Sequence, residues 1–275
     1  MNPPPAMNPQ PARERAVTPE LRGAVDFGRT SDDYARFRPG PPQEFYERLN
    51  RIVRLQGAEV ADIGAGTGLA SLEMARRGAR VTAIDPAEAQ LAQARRLAAA
   101  EGLAVRTIQA TAERTTLADR SLDLVLASQA WHWFDPVLAG QEAVRTLRPD
   151  GVMLTVAFDY LPKRSTLAAK TEELVLKYNP TWPLADGNGC HMKPLVDLPA
   201  AGLVGLEQFS FEHEQVFTHE GWRGRMRTCN GVGASLGPEQ VASFDADLSR
   251  LLREGYPDPV VVMHRVWVVW ARKPG

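Results

Sequence analysis

Val60-Ala61-Asp62-Ile63-Gly64-Ala65-Gly66-Thr67-Gly68 is the stretch that decides how this chain folds. The run at 58–63 is short and apolar, as a buried strand is, and glycines at alternate positions then interrupt it. Glycine lacks a Cβ, so a turn built on Gly64, Gly66 and Gly68 lets a ligand approach bare backbone. Leu69, Leu72 and Ala75 follow at helical spacing, and the first turn of a helix presents unpaired N–H groups. Asp85 stands 21 positions after Gly64, at the tip of the next strand-like run, 80–84. In dinucleotide folds an acid at about 20 residues' spacing accepts hydrogen bonds from ribose hydroxyls. The pattern predicts an adenosine-type ligand held by Gly64, Ala65, Gly66, Gly68, Asp85 and the adjoining Pro86.

Outward from this turn, strand-like and helix-like segments alternate. A helix is expected over 42–55, an alanine-rich helix over 87–101, strands at 104–109 and 122–127, and a helix at 136–147. Pro149-Asp150-Gly151 reads as a tight turn into a strand at 152–157. Such alternation implies a parallel sheet with helices on both faces. After Tyr160 come a helix at 164–177, an irregular Pro- and Gly-containing stretch, a strand near 203–217, a helix at 237–254 and a terminal strand at 260–272. Residues 160–235 are expected to be a lid or substrate-recognition insertion. Residues 1–25, rich in proline and charge, are expected to be a disordered tail, with one domain over 26–275.

Composition narrows the partners. Of 275 residues, 44% are apolar and 24% charged, as in an ordinary globular protein, and a net charge of -1 gives no field favouring a polyanion. No nucleic acid is therefore expected. Cys190 and Cys229 lack metal-type spacing and the five histidines are scattered, so no metal is expected and the thiols read as reduced. No run reaches the roughly 20 apolar residues of a membrane span, and the start of the chain lacks a signal-peptide core. A cytoplasmic protein is the expectation, and its oligomeric state is left open.

The glycine spacing discriminates among adenosine ligands. A dinucleotide fingerprint has G-x-G-x-x-G, but the sixth position here is Leu69; the pattern is G-x-G-x-G, preceded by Asp62. S-adenosylmethionine has no pyrophosphate to seat, and an acid such as Asp62 can face its amine.

These residues resemble motif I of the class I S-adenosylmethionine-dependent methyltransferases. Ala83-Ile84-Asp85-Pro86 resembles the family's acidic strand end, and Ala110-Thr111-Ala112-Glu113 its adenine-side loop. Leu147-Arg148-Pro149-Asp150-Gly151 is similar to the turn into its fifth strand. Asp33-Tyr34-Ala35-Arg36-Phe37-Arg38-Pro39 and Gln129-Ala130-Trp131-His132-Trp133-Phe134-Asp135 resemble segments of the methyltransferase type 11, trans-aconitate methyltransferase-like group. The resemblance implies a Rossmann-like, doubly wound α/β fold with a mostly parallel seven-stranded sheet and an antiparallel terminal strand. It also implies that Ala112 or Glu113 flanks the adenine, that Gln129 lies near the methionine end, and that Tyr34 or Arg38 reaches the cofactor carboxylate.

Methyl transfer from a sulphonium is chiefly a matter of alignment and water exclusion, so no obligatory triad is expected. His132, just past the fourth strand, is the candidate base, and a structural histidine wedged between Trp131 and Trp133 is the competing reading. Trp131 and Trp133 either wall an acceptor pocket or pack beneath the next helix. Among Arg223, Arg225 and Arg227, Arg225 is the candidate clamp for a carboxylate-bearing acceptor, although alternate arginines on a surface are often merely solvated. The function expected is methyl transfer to a small molecule, with oxygen of a small acid or metabolite favoured. The alternatives are a nicotinamide-dependent oxidoreductase on a related fold and a non-catalytic cofactor-binding scaffold.

Overall fold

A seven-stranded sheet with strand order β3-β2-β1-β4-β5-β7-β6 organises the computed structural model, which describes residues 31–275. The expected tail lies outside the described residues, as do the side chains of Ser31, Asp32 and Tyr34. In chain order the elements begin α1 (Ser31–Phe37), α2 (Gln43–Ile52), β1 (Glu59–Ile63), α3 (Leu69–Arg76), β2 (Arg80–Asp85), α4 (Glu88–Ala100) and β3 (Val105–Gln109). They continue with β4 (Leu122–Ser128), α5 (Pro136–Thr146), β5 (Leu147–Tyr160), α6 (Thr166–Tyr178), α7 (Lys193–Ala200), β6 (Val204–Phe217), α8 (His219–Arg227), α9 (Pro238–Gly255) and β7 (Val260–Arg272). Among the described residues no helix is long and apolar enough to cross a membrane.

Strands β1 to β5 are parallel, and β7 runs antiparallel to both of its neighbours, β5 and β6. The sequence pattern explains why both faces are covered. Val60, Leu124, Leu126, Val152, Leu154, Val268 and Trp270 point to one face, where Phe45, Leu49 and Met74 cover them. Their alternates Ala61, Ile63, Val125, Ala127, Met153 and Val269 point to the other, beneath Ala139 and Ala143 of α5 and Leu198 of α7. A further core joins α6, α8 and α9 around Trp222, Phe244 and Leu248, all fully buried.

Two expectations need correction. The 149–151 turn is absorbed into β5, where the register jumps from Leu122↔Leu147 to Leu124↔Val152 and Asp150 takes φ 62°. Leu147, wholly buried, keeps its pairing, and the polar residues after it bulge out to bond with the end of β7 through Lys273. The 160–235 stretch is also not one insertion. Its residues 204–217 form the sheet's edge strand, with apolar and polar side chains alternating, so only the segments before and after that strand stand off the sheet.

β1 lies between β2 and β4, so the chain order reverses there. The carboxyl ends of β1, β2 and β4 splay onto a crevice at this switch point, the general location of ligand sites in open α/β sheets.

Candidate active site

A cavity of about 900 Å³ occupies that crevice. This is within the range that holds a nucleoside-sized ligand and a small molecule beside it. Gly64, Ala65 and Gly66 line one end together with Asp85 and Pro86, and Arg38 and Gln129 also reach the wall. The turn is tight because Gly64, at φ 67°, packs where a Cβ would come within 2.7 Å of Ala130. Gly68 starts α3 against α4, a Cβ there falling 2.9 Å from Ala94. It serves packing and does not line the cavity.

Three of the turn amides are already bonded within the fold. Ala65 N–H donates to Ile84 O at 3.0 Å, Gly66 N–H to Asp85 Oδ2 at 2.9 Å, and Gly68 N–H to Ala65 O at 2.9 Å. Three donors that a pyrophosphate would want are thus spent inside the fold. Asp85 takes a second bond from Ala87 N–H at 2.9 Å, which orients its carboxylate on the cavity wall. Burial raises its pKa, and the two N–H bonds oppose that shift. Thr67 offers a buried hydroxyl on the same wall, with no partner among the described residues. These features fit a nucleoside lacking a pyrophosphate: an oriented acid, an unmet polar atom and a bare-backbone approach.

Several predicted site residues lie elsewhere. Asp62 is buried behind the turn and off the cavity wall, where its Oδ2 accepts from Ser71 Oγ at 2.6 Å. Burial pushes its carboxyl up to about 7, with Ser71 opposing and Asp85 reinforcing. Ala112 is in the core under β4 and β2, and Glu113 accepts from Asp135 N–H at 2.9 Å, steadying the start of α5; neither reaches the cavity. Trp131 is also buried away from it, donating through Nε1 to Asp197 Oδ2 of α7 at 2.8 Å. The indole pins α7 to the post-β4 loop and is no acceptor wall; Trp133 lines the cavity instead. Tyr34 lies on α1, with its side chain outside the described residues.

Gln129 ends β4 with φ 58°. Its main-chain N–H donates to Val156 O at 2.8 Å and its Nε2 to Phe158 O at 2.5 Å, which clamps β4 to β5 at the cavity floor. His132 follows on the cavity wall. Burial lowers its pKa to about 3, aided by His191 and opposed by Asp159. It is therefore neutral at ordinary pH and a poor proton acceptor.

A second imidazole stands beside it. His191, on the loop before α7, stacks on His132 with centroids 6.3 Å apart and meets Asp159 Oδ2 through Nε2 at 2.6 Å. Burial alone would raise the Asp159 carboxyl, yet His191, Arg38 and His132 hold it well below the usual carboxylate range. An ionised Asp159 can only accept, so Nε2 carries a proton toward it. Trp267 Nε1 donates to His191 O at 2.9 Å and fixes the backbone that carries the ring.

Of the arginines on α8, Arg223 and Arg227 pair with Asp245, and Arg227 also with Asp33. Arg225, two residues from each, points the other way into the cavity and is 4% exposed. It lies 4.6 Å over the Tyr160 ring. Burial lowers its pKa, with Arg38 adding to the effect. Asp159, Tyr160, Glu172 and His191 were missed in the sequence. Asp159 is the one charged residue in the run 152–160, and that signal was available. Nothing local marks His191 or Glu172, which come to the cavity only by tertiary folding.

The methyltransferase domain family matches residues 61–155. An uncharacterised methyltransferase of Mycobacterium bovis is 38% identical over 128 residues, which is 46% of this chain and 50% of that protein. The malonyl-[acyl-carrier protein] O-methyltransferase of Enterobacter lignolyticus is 35% identical over 143 residues, 51% of this chain and 55% of that one. The chain thus spans about half the length of these curated relatives. A solved structure described as a candidate type II methyltransferase from Anaeromyxobacter dehalogenans is 25% identical. It superposes with TM-score 0.62 over 86% of this chain and 99% of its own. Residues 61–155 thus match a methyltransferase domain, and the strand order is set in a fold similar to that of the superposed methyltransferase.

Proposed function

We propose that the protein transfers a methyl group from S-adenosylmethionine to an oxygen of a small-molecule acceptor, a small acid or related metabolite. The observation that carries this reading is one continuous cavity. It joins the glycine turn and Asp85 to a cluster of ionisable side chains: His132, His191, Asp159 and Arg225. When bound, S-adenosylmethionine supplies an activated methyl. Asp85 would accept from the ribose hydroxyls, Thr67 and Gln129 would border the methionine portion, and Arg38 would face its carboxylate. Trp133, Trp182 and Trp267 wall the remaining space, where they exclude water and favour an apolar acceptor body.

The dyad, rather than His132, is positioned to take a proton. A carboxylate on one imidazole nitrogen fixes the ring's orientation and stabilises the imidazolium formed when the other nitrogen is protonated. Neutral His132 lies beside that ring, with centroids 6.3 Å apart. An oxygen acceptor agrees with the O-methyltransferase among the relatives. Three turn amides already bonded within the fold disfavour a nicotinamide role. Transfer of labelled methyl from S-adenosylmethionine to a panel of small acids, phenols and amines tests the proposal. Label in an oxygen-methylated product supports it, and no transfer to any class contradicts it.

A further inference from the structure

Arg225 presents a cost that the fold alone does not offset. Its side chain is almost wholly buried with the guanidinium over the Tyr160 ring, and its Nε has no hydrogen-bond acceptor among the described residues. Nor does any carboxylate there lie within ion-pair distance of it. Its hydrogen-bond contact among the described residues is weak, from Nη1 to the Met226 sulphur at 3.7 Å. A buried charge without a partner is strongly unfavourable, so such a group is retained where something else supplies the counter-charge. Glu172, on the same wall, does not fill that role. It accepts from Asp186 N–H at 2.7 Å and from the Tyr160 hydroxyl, and burial raises its pKa. Arg38 lines the same cavity and makes it more positive around Arg225.

Resting on the methyltransferase reading above, we infer that the acceptor is a bifunctional acid whose carboxylate is anchored on Arg225 while a separate hydroxyl faces the His191–Asp159 pair. A guanidinium fork matches a carboxylate in shape and charge. A carboxylate so held has its lone pairs engaged, and it carries no proton for a base to remove. The dyad is therefore of use only to a different, proton-bearing oxygen of the same molecule. The apolar walls from Trp133, Trp182 and Trp267 suit the body between the two groups.

The test is calorimetric titration of the protein, saturated with S-adenosylhomocysteine, with benzoate and with its uncharged counterpart benzamide. Benzoate should bind at least about tenfold more tightly, as expected for a charge-assisted pair. Arg225→Met should abolish that preference while keeping its affinity for S-adenosylhomocysteine. Without ligand it should melt no lower than the unaltered protein, because it removes an unpaired buried charge. Equal binding of the two probes, or a preference that survives in Arg225→Met, overturns the inference. If Arg225→Met loses S-adenosylhomocysteine, Arg225 serves the cofactor and the inference also falls. Failure of the unaltered protein to bind S-adenosylhomocysteine defeats the methyltransferase reading itself, a separate outcome. The product from any acceptor found should be a methyl ether that resists dilute alkali; an alkali-labile ester would make the carboxylate the methylated group and overturn the anchor.

Discussion

His191 Nε2 meets Asp159 Oδ2 at 2.6 Å, coupling the loop before α7 to the end of β5. That bond makes the loop part of the site and gives the cavity a histidine with a fixed tautomer. Removing a positioned base typically costs about 10²–10⁴ in rate. His191→Asn and Asp159→Asn should each lower kcat in that range, with affinity for S-adenosylhomocysteine kept. His132→Asn should cost less and leave the acidic limb of the pH–rate profile in place, since the His132 pKa of about 3 lies below the working range. A limb that moves with His132 and not with His191 reverses the two roles.

Asp62 makes stability depend on pH. In the fold its carboxyl is raised from 3.8 to about 7 by burial. Between those values the folded chain keeps a proton that the unfolded chain has released. Its contribution is thus fully present below the lower value and lost as pH rises through the upper one, by up to ~4 kcal/mol. Asp62→Asn keeps an acceptor for Ser71 and has nothing to ionise. Its melting temperature relative to the unaltered protein should climb between about pH 4 and about pH 8. A gap that stays flat across that window would show that Asp62 is not the titrating group.

Trp131 separates a packing role from an acceptor role. Trp131→Phe loses the bond to Asp197 and should cost about 1 kcal/mol of stability, read by denaturant unfolding. The acceptor KM should not change. A large rise in KM with unaltered stability would return Trp131 to the acceptor wall.

The glycine turn and its tie to Asp85 were legible because their signals are local. Gly64, Gly66 and Asp85 are tied to one another through a turn and a strand tip, and a spacing of 21 residues records that geometry. The alternation of Val60 with Ala61 and of Leu124 with Val125 likewise encodes a sheet covered on both faces. The far end of the cavity was legible only in part. Arg225 could be singled out among its neighbours, but only the helix orientation shows that Arg223 and Arg227 turn outward to Asp245. His191 sits in an irregular stretch with no periodicity, and its partner lies 32 residues away. Glu113 and Trp131 misled because a motif gives residue type and position, while the choice between cavity and core is made by tertiary packing.

The central claim is that the glycine turn and Asp85 together hold S-adenosylmethionine, and titration calorimetry with S-adenosylhomocysteine tests it most directly. Saturable binding at one site per chain is expected, weakened by roughly 1–3 kcal/mol in Asp85→Ala as charge-assisted hydrogen bonds to the ribose are lost. No binding at millimolar ligand, or an affinity indifferent to Asp85→Ala, would contradict it.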